Sequence, residues 1–264
     1  MGTPIIAATA LILYGIGLGL QILLIRNRWS DPQRLILITG ALGLVAHLTL
    51  AGQALIANGG IDLSIFVSAV AISALMVALI ISLALWRPVQ SLLVAAYPLA
   101  MATIVVKLAF HTEPRTVDPA AVGVLAHVVL AVAAYSFFAL AAIQALLLHI
   151  QHRQLKAHHN SGLVRSLPPL QTMESLLFGL IRAGVVLLTL GIIAGAVFME
   201  DIFGQQLAHK SLFTLFAWIV FTGLLIGRQL RGWRGAVASR WTLVGCLLLT
   251  LGYFGSRLVI ELLL

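Results

Sequence analysis

Three histidines lie within or beside long apolar runs of the sequence, where an ionisable side chain is unfavourable. His47 is near the middle of one run, His127 is close to the beginning of another, and His209 stands just before a third. An ionisable group at the centre of a bilayer costs about 2.5–3.5 kcal/mol on insertion scales, so such residues are candidates for function. The alternative for an intramembrane histidine is an interhelical hydrogen bond, worth about 0.6 kcal/mol on average.

Cations accompany His127 and His209 at one side of these runs, and this combination suits haem. Haem iron takes axial imidazole ligands, and the two haem propionates need cationic partners. Haem b is therefore one candidate cofactor, whose iron His127 and His209 could ligate. The candidate cofactor-binding residues are His47, His127, His209, Lys107, Lys210 and Arg115.

Two other chemistries fit the same histidines. A first-row metal usually adds carboxylate or thiolate ligands, and Glu113 and Asp118 of a nearby connection could supply them. A proton relay would use chains of Asp, Glu and His across the membrane, but the carboxylates of this sequence cluster near the ends of the apolar runs. Ligand binding involves no group transfer, so no catalytic residue is predicted and the protein is not expected to be an enzyme.

The composition requires a membrane protein. Of 264 residues, 61% are hydrophobic and 9% are charged, with a mean hydropathy of +1.08, whereas soluble domains have about 25% charged residues. A soluble enzyme, a disordered chain and a nucleic-acid-binding domain are therefore excluded, despite the net charge of +8. The single cysteine, Cys246, excludes an internal disulfide and a Cys-x-x-Cys motif.

Eight apolar stretches are long enough to cross a bilayer as helices. A span needs about 20 residues, because the hydrocarbon core is about 30 Å thick and a helix rises about 1.5 Å per residue. We predict an all-α, polytopic helical bundle that forms a single transmembrane domain over residues 1–264, with the first run retained rather than cleaved. The predicted spans are residues 4–25, 35–57, 64–86, 92–110, 122–148, 173–199, 211–230 and 241–263.

The distribution of Lys and Arg predicts the orientation. The connections after spans 1, 3, 5 and 7 carry eleven Lys and Arg residues, and those after spans 2, 4 and 6 carry only Arg115 and Lys210. Cytoplasmic loops are enriched in positive charge. Both termini are therefore expected to face outward, and Lys107, Lys210 and Arg115 then lie on the outward side with His127 and His209.

Some residues within spans have structural interpretations. Gly15, Gly17 and Gly19 favour close packing of the first helix against its neighbours. Arg182, inside span 6, could pair with Glu174 two turns away or with an anionic ligand. These two alternatives predict different partners for the guanidinium group.

Several stretches of the second half resemble a known family of membrane proteins. Leu125-Ala126-His127-Val128 opens a span and Tyr135-Ser136 follows eight residues on. Further stretches are Arg182-Ala183-Gly184 through 187–198, 210–218, Ile226-Gly227-Arg228, 232–235 and Tyr253-Phe254-Gly255. Together they resemble the cytochrome c assembly superfamily that handles haem (CcsA/CcmC-like). In length and eight-span plan the chain is most similar to the shorter YpjD/HemX-like branch.

The resemblance implies roles for some residues and omits others. His127 matches the first of the family's two outward-facing haem ligands, whereas no histidine follows the final span. The segment 200–210, where the family has a Trp-rich haem loop, contains no Trp; His209 and Lys210 match its far end. His47 matches an intramembrane histidine of larger members, but its partner position is Gly227. The chain is therefore not expected to present haem to apocytochrome as the larger members do.

The preferred hypothesis is a haem-handling protein of the bacterial inner membrane, acting as a binder or accessory factor in cytochrome c assembly. Its expected partners are the lipid bilayer, haem and other cytochrome c maturation proteins, with no nucleic acid. The alternatives are a scaffold or accessory subunit of another membrane complex, and a small-substrate permease. The scaffold predicts that His127 and His209 tolerate alanine, and the permease predicts inverted repeats.

Overall fold

A computed structural model describes residues 2–26, 33–57, 60–87, 89–110, 116–118, 121–157, 164, 167–198 and 205–255, with the backbone alone at 205–210 and 255. Eight long helices account for most of these residues. They are α1 (Gly2–Ile25), α2 (Gln33–Leu55), α3 (Ile65–Ala84), α4 (Leu93–Ala109), α5 (Val122–Lys156), α6 (Leu170–Phe198), α7 (Gln205–Arg231) and α8 (Ala236–Thr250). A 3-10 turn at Gln90–Leu92 leads into α4, and a π-helical turn at Leu251–Gly255 continues α8.

All eight helices, with these turns, are long and apolar enough to cross a membrane. Large apolar side chains project from the helix surfaces, with Ile5, Val45 and Val186 between 59% and 69% exposed. Large apolar side chains exposed in such number are unfavourable in water and match the hydrocarbon of a bilayer. The predicted all-α polytopic bundle is therefore confirmed, while the orientation of its termini stays a prediction.

Some helices extend beyond the predicted spans where the sequence turns polar. Helix α5 continues eight residues past residue 148, to Lys156, and α7 begins six residues before residue 211. Hydropathy marks the part of a helix that suits lipid, whereas backbone hydrogen bonding continues wherever residues tolerate helical geometry. These extensions place His209 and Lys210 within the first turns of α7, not before it.

Contacts within the chain define two compact units, residues 1–118 with 154–169 and residues 119–153 with 170–264. We call them the N-terminal and C-terminal units. Most Lys and Arg residues lie in or beside the connections α1–α2, α3–α4, α5–α6 and α7–α8. We call the end of a helix that adjoins one of these connections its arginine-rich end. The single transmembrane domain over 1–264 stays a prediction beside this division.

A stacked pair of tyrosines lies at the centre of the N-terminal unit. The Tyr14 and Tyr97 rings are fully buried, with centroids 5.1 Å apart, and the Tyr97 hydroxyl donates to the Ile36 carbonyl at 3.0 Å. Gly17 of α1 and Gly43 of α2 lie against these rings, and a Cβ at either would come within 2.9 Å of ring carbons. The rings therefore occupy space that a side chain at these glycines would fill. The predicted close packing of α1 is confirmed for Gly17 and wrong for Gly15 and Gly19, where a Cβ would meet nothing within 4 Å.

A small antiparallel sheet covers the other end of the N-terminal unit. Its strands are β1 (Ile56–Ala57), β2 (Gly60–Asp62) and β3 (Thr116–Val117), in the order β1-β2-β3. Asp62 accepts hydrogen bonds from the Ser64 backbone N–H at 2.8 Å and the Ser64 hydroxyl at 3.2 Å, at the start of α3. The all-α prediction was based on the spans, and these short strands lie in the connections between them.

The C-terminal unit is organised around a second stacked pair. Phe138 of α5 and Phe221 of α7 have centroids 4.0 Å apart and planes 15° apart. Gly184 of α6 and Gly245 of α8 lie against these rings, where a Cβ would come within 2.8 Å of ring carbons. Four helices thus meet at one aromatic pair, and this packing sets the register of α5 against α6.

Candidate functional site

His127 lies in the second turn of α5, at the end away from the arginine-rich connections, and is partly exposed. Its Nδ1 atom is 2.8 Å from the backbone oxygen of Gly191 on α6. A carbonyl oxygen can only accept, so Nδ1 carries the proton and donates it. In the neutral ring the lone pair is consequently on Nε2, which is the nitrogen available to a ligand or metal.

Two glycines of α6 allow the ring to reach this carbonyl. Gly191 and Gly195 are four residues apart, so they lie on one helix face. A Cβ on Gly195 would sit 3.1 Å from both Nδ1 and Cε1 of His127, closer than ordinary van der Waals contact. The imidazole therefore rests against bare backbone of α6, and its orientation depends on the absence of a side chain at 195.

The aromatic residues of the family-like stretches meet deeper in the C-terminal unit. Tyr135, two turns beyond His127 on α5, packs against Tyr253 and Phe254, with centroids 5.6 and 6.3 Å away. Its hydroxyl donates to the Leu249 carbonyl at 2.7 Å. A π-helical turn changes hydrogen-bond spacing from four to five residues, which leaves a carbonyl near the junction open to a side-chain donor. Tyr135 of α5 thus contacts residues more than a hundred positions later in the sequence, two turns along α5 from His127.

His47 is placed in the N-terminal unit and is completely buried. Its Nδ1 shares a hydrogen bond of 3.2 Å with the Tyr14 hydroxyl, across α1 and α2. Within the described residues Nε2 makes no hydrogen bond, although the Val70 backbone lies near the ring. The interhelical hydrogen bond left open as an alternative for His47 is therefore observed, and its role as a cofactor ligand stays a prediction.

The other candidate residues are only partly located. Lys107 is in the last turn of α4 in the N-terminal unit and is partly exposed. The side chains of His209 and Lys210 and the whole of Arg115 lie outside the described residues. Within the described part, no three His, Cys, Asp or Glu residues are grouped to hold a metal ion.

Gly191 and Gly195 were not among the predicted site residues, although both lie in the stretch that carries the resemblance. Their spacing of four residues in a span opposite His127 was the available signal. This spacing indicated a helix face without side chains, but only the register of α5 against α6 shows that His127 packs against it.

The eight apolar helices and the histidine at one end of α5 define a polytopic helical membrane protein. Comparison with known sequences identifies its family. The chain belongs to the cytochrome c assembly protein family, whose model matches residues 35–264. The predicted family is therefore confirmed.

Individual relatives cover different shares of the chain. The inner membrane protein YpjD of Escherichia coli K12 is 29% identical over 261 residues, 98% of this chain and 99% of that protein. Protein HemX of Brevibacillus brevis is 30% identical over 133 residues, 50% of this chain and 49% of that protein. The cytochrome c biogenesis protein CcsA of Gloeobacter violaceus is 33% identical over 93 residues, 34% of this chain and 28% of that protein. No solved structure matches the chain significantly.

Proposed function

We propose that the protein binds haem at the outward-facing surface of a bacterial inner membrane, with His127 as an axial ligand. It acts as a haem binder or accessory factor in cytochrome c assembly and catalyses no reaction. The observation that carries this proposal is the hydrogen bond from His127 Nδ1 to the Gly191 carbonyl.

This hydrogen bond matches what metal-ligating histidines need. Such histidines usually donate their second ring N–H to a carboxylate, a backbone carbonyl or water, which sets the tautomer and raises the basicity of the ligating nitrogen. His127 has this arrangement, and its partial exposure leaves the ring accessible.

The remaining parts of the proposed site come from the sequence and the family resemblance. We assign His209 as the opposite or gating ligand and Lys210 as a cationic partner of the propionates. Lys107 and Arg115 stay candidates from the sequence alone. Haem b, when bound, would supply an iron centre that takes imidazole ligands. The residues of the chain would bind and orient the haem. Among the proposed ligands, His127 is the one whose hydrogen bonding is described.

Absorption spectroscopy of the purified protein tests the proposal. The protein is extracted in mild detergent from haem-supplemented cells, and oxidised and reduced spectra are recorded for wild type, His127→Ala and His209→Ala. His152→Ala is the matched control, because His152 is an exposed histidine near the arginine-rich end of α5. We expect a stoichiometric Soret band that shifts or disappears in His127→Ala and is unchanged in the control.

Two results would reject haem binding at His127. One is a colourless wild-type protein, and the other is a Soret band that neither His127→Ala nor His209→Ala changes. Either result would favour the alternative in which the protein is a scaffold of a membrane complex. Unchanged function in cytochrome c assembly after both substitutions would support that alternative directly.

A further inference from the structure

Two arginines from neighbouring helices converge on one phenylalanine in the C-terminal unit. Arg182 lies well inside α6, and its Nε donates to the Phe178 carbonyl, at 3.4 Å. Arg228 lies in the last turn of α7, with its Cζ 3.9 Å from the centroid of the Phe178 ring. The backbone and ring of Phe178 thus hold two guanidinium groups, one inside α6, in the half nearer its arginine-rich end, and one at the arginine-rich end of α7.

These two positive charges have no acidic partner among the described residues. The ion pair considered for Arg182 was with Glu174, but the carboxylate oxygen of Glu174 lies beside Gly235, the residue before α8. The contact observed for Arg182 is instead with the carbonyl one turn away on its own helix. Of the two partners considered for Arg182, an anionic ligand is therefore the one that the structure leaves open.

The location makes an unpaired guanidinium unfavourable. Arg182 is exposed on a helix that is apolar enough to span a membrane. A charged side chain in a span is stabilised when it extends towards the interface or meets an opposite charge. The bond to Phe178 directs Arg182 towards the arginine-rich end, where Arg228 is already held over the ring.

The hydrogen-bonding capacity of the pair fits a phosphate group. Because Nε of Arg182 donates to the Phe178 carbonyl, its two terminal nitrogens remain available as donors. The guanidinium of Arg228 stacks on the Phe178 ring, so its N–H groups lie in a plane beside the ring and can also donate to a ligand. Planar guanidinium forks bind phosphate oxygens in a bidentate manner and do so better than point charges. Because the site lies on membrane-spanning helices, a phosphate on a lipid can reach it from the bilayer.

We propose that Arg182 and Arg228 form a binding site for the phosphate of an acidic phospholipid, in the leaflet at the arginine-rich end of the C-terminal unit. This site is separate from His127 in its residues and does not depend on haem binding. A soluble phosphate ester offers the same chemistry from the aqueous side, so the test must distinguish the two sources.

Native mass spectrometry of delipidated protein in detergent measures the site directly. The probes are dioleoylphosphatidylglycerol, dioleoylphosphatidylcholine and glycerol 1-phosphate, each titrated into wild type, Arg182→Gln, Arg228→Gln and the double variant. Arg240→Gln is the matched control, since it removes one exposed arginine near the start of α8. The haem spectrum of each variant is recorded in parallel and should not change.

We expect one phosphatidylglycerol molecule to bind wild type and the control alike. The double substitution should weaken binding at least about tenfold, with smaller losses for each single substitution. Phosphatidylcholine should bind more weakly than phosphatidylglycerol, because it carries no net negative charge. Competition by glycerol 1-phosphate at equal concentration would support the phosphate site with a soluble source in place of the lipid.

Several results would overturn the lipid site. They are unchanged phosphatidylglycerol binding in the double variant, an equal loss in Arg240→Gln, and equal binding of phosphatidylcholine by wild type. If the double Gln variant does not purify as a folded protein, the double Arg→Lys variant retains the charge and tests the guanidinium geometry. Equal binding by that Lys variant and wild type would overturn the bidentate assignment.

Discussion

At the scale of single residues, exposure distinguishes the two histidines within spans. His127 donates to a backbone carbonyl through Nδ1 and is partly exposed, whereas His47 is fully buried and bonded to the Tyr14 hydroxyl. Both hydrogen bonds link two helices, and only the ring of His127 is accessible to a ligand. We therefore propose ligand binding for His127 and helix packing for His47, although both are histidines in apolar runs.

Substitution of Gly195 by alanine should weaken haem binding by displacing His127. The new Cβ would lie 3.1 Å from the imidazole and force it away from the Gly191 carbonyl. Loss of an outer-shell partner typically reduces metal affinity about 10–100-fold. Haem titration of the purified variant measures this loss. Gly179→Ala, where a Cβ on the same helix meets nothing within 4 Å, is the control; an equal loss there would contradict the explanation.

The structural role of His47 is measurable by a double-mutant cycle. Tyr14→Phe removes the hydroxyl that bonds Nδ1, and His47→Leu removes the imidazole. Because the two groups satisfy each other, the combined loss of unfolding free energy should be smaller than the sum of the single losses. The coupling should be about 0.6 kcal/mol and at most about 1.7 kcal/mol, the range measured for interhelical bonds in membranes. Thermal or chemical unfolding in detergent supplies the values, and strict additivity would contradict the bond.

At the scale of helices, both units use glycine to seat a stacked aromatic pair. Tyr14 and Tyr97 lie against glycines of α1 and α2, and Phe138 and Phe221 lie against glycines of α6 and α8. Helices in a bilayer gain little from hydrophobic exclusion of water, so van der Waals packing of this kind supplies much of their association. The ring pairs therefore determine how closely the helices approach within each unit.

Two glycines of α1 provide a matched comparison of this packing. Gly17→Ala would place a Cβ 2.8 Å from a Tyr97 ring carbon, whereas a Cβ at Gly15 meets nothing within 4 Å. Overpacking at Gly17 should lower the free energy of unfolding by about 1–3 kcal/mol. Gly15→Ala should leave it unchanged or raise it by up to about 1 kcal/mol, since alanine favours helix. Unfolding in detergent reports both changes, and equal effects would show that the Tyr97 contact does not limit packing.

At the scale of the whole molecule, charge distribution bears on orientation. Eleven Lys and Arg residues lie in or beside the connections at one side of the spans and two at the other. This asymmetry is typical of proteins whose more basic side faces the cytoplasm. The proposed haem site would then be on the outward side, at the end of α5 that carries His127, and the proposed lipid site would be on the cytoplasmic side.

Reporter fusions measure the orientation. Alkaline phosphatase fused after Leu264 should be active, because the enzyme works only outside the cytoplasm, and the same enzyme fused after Ala157 should be inactive. Green fluorescent protein at the same two positions should give the reverse pattern, which controls for expression. Active phosphatase after Ala157 together with inactive phosphatase after Leu264 would place His127 on the cytoplasmic side and reverse the proposal.

The sequence by itself determined the class of fold, the eight spans and the family. Length and hydropathy suffice for these, because lipid requires each span to satisfy its own backbone hydrogen bonds. It also indicated His127 and the glycine-containing stretch opposite it. Only the tertiary structure decided that His127 bonds to Gly191, that His47 bonds to Tyr14, and that Arg182 and Arg228 meet at Phe178. Each of these contacts depends on the register of one helix against another, which side-chain packing decides and hydropathy does not encode.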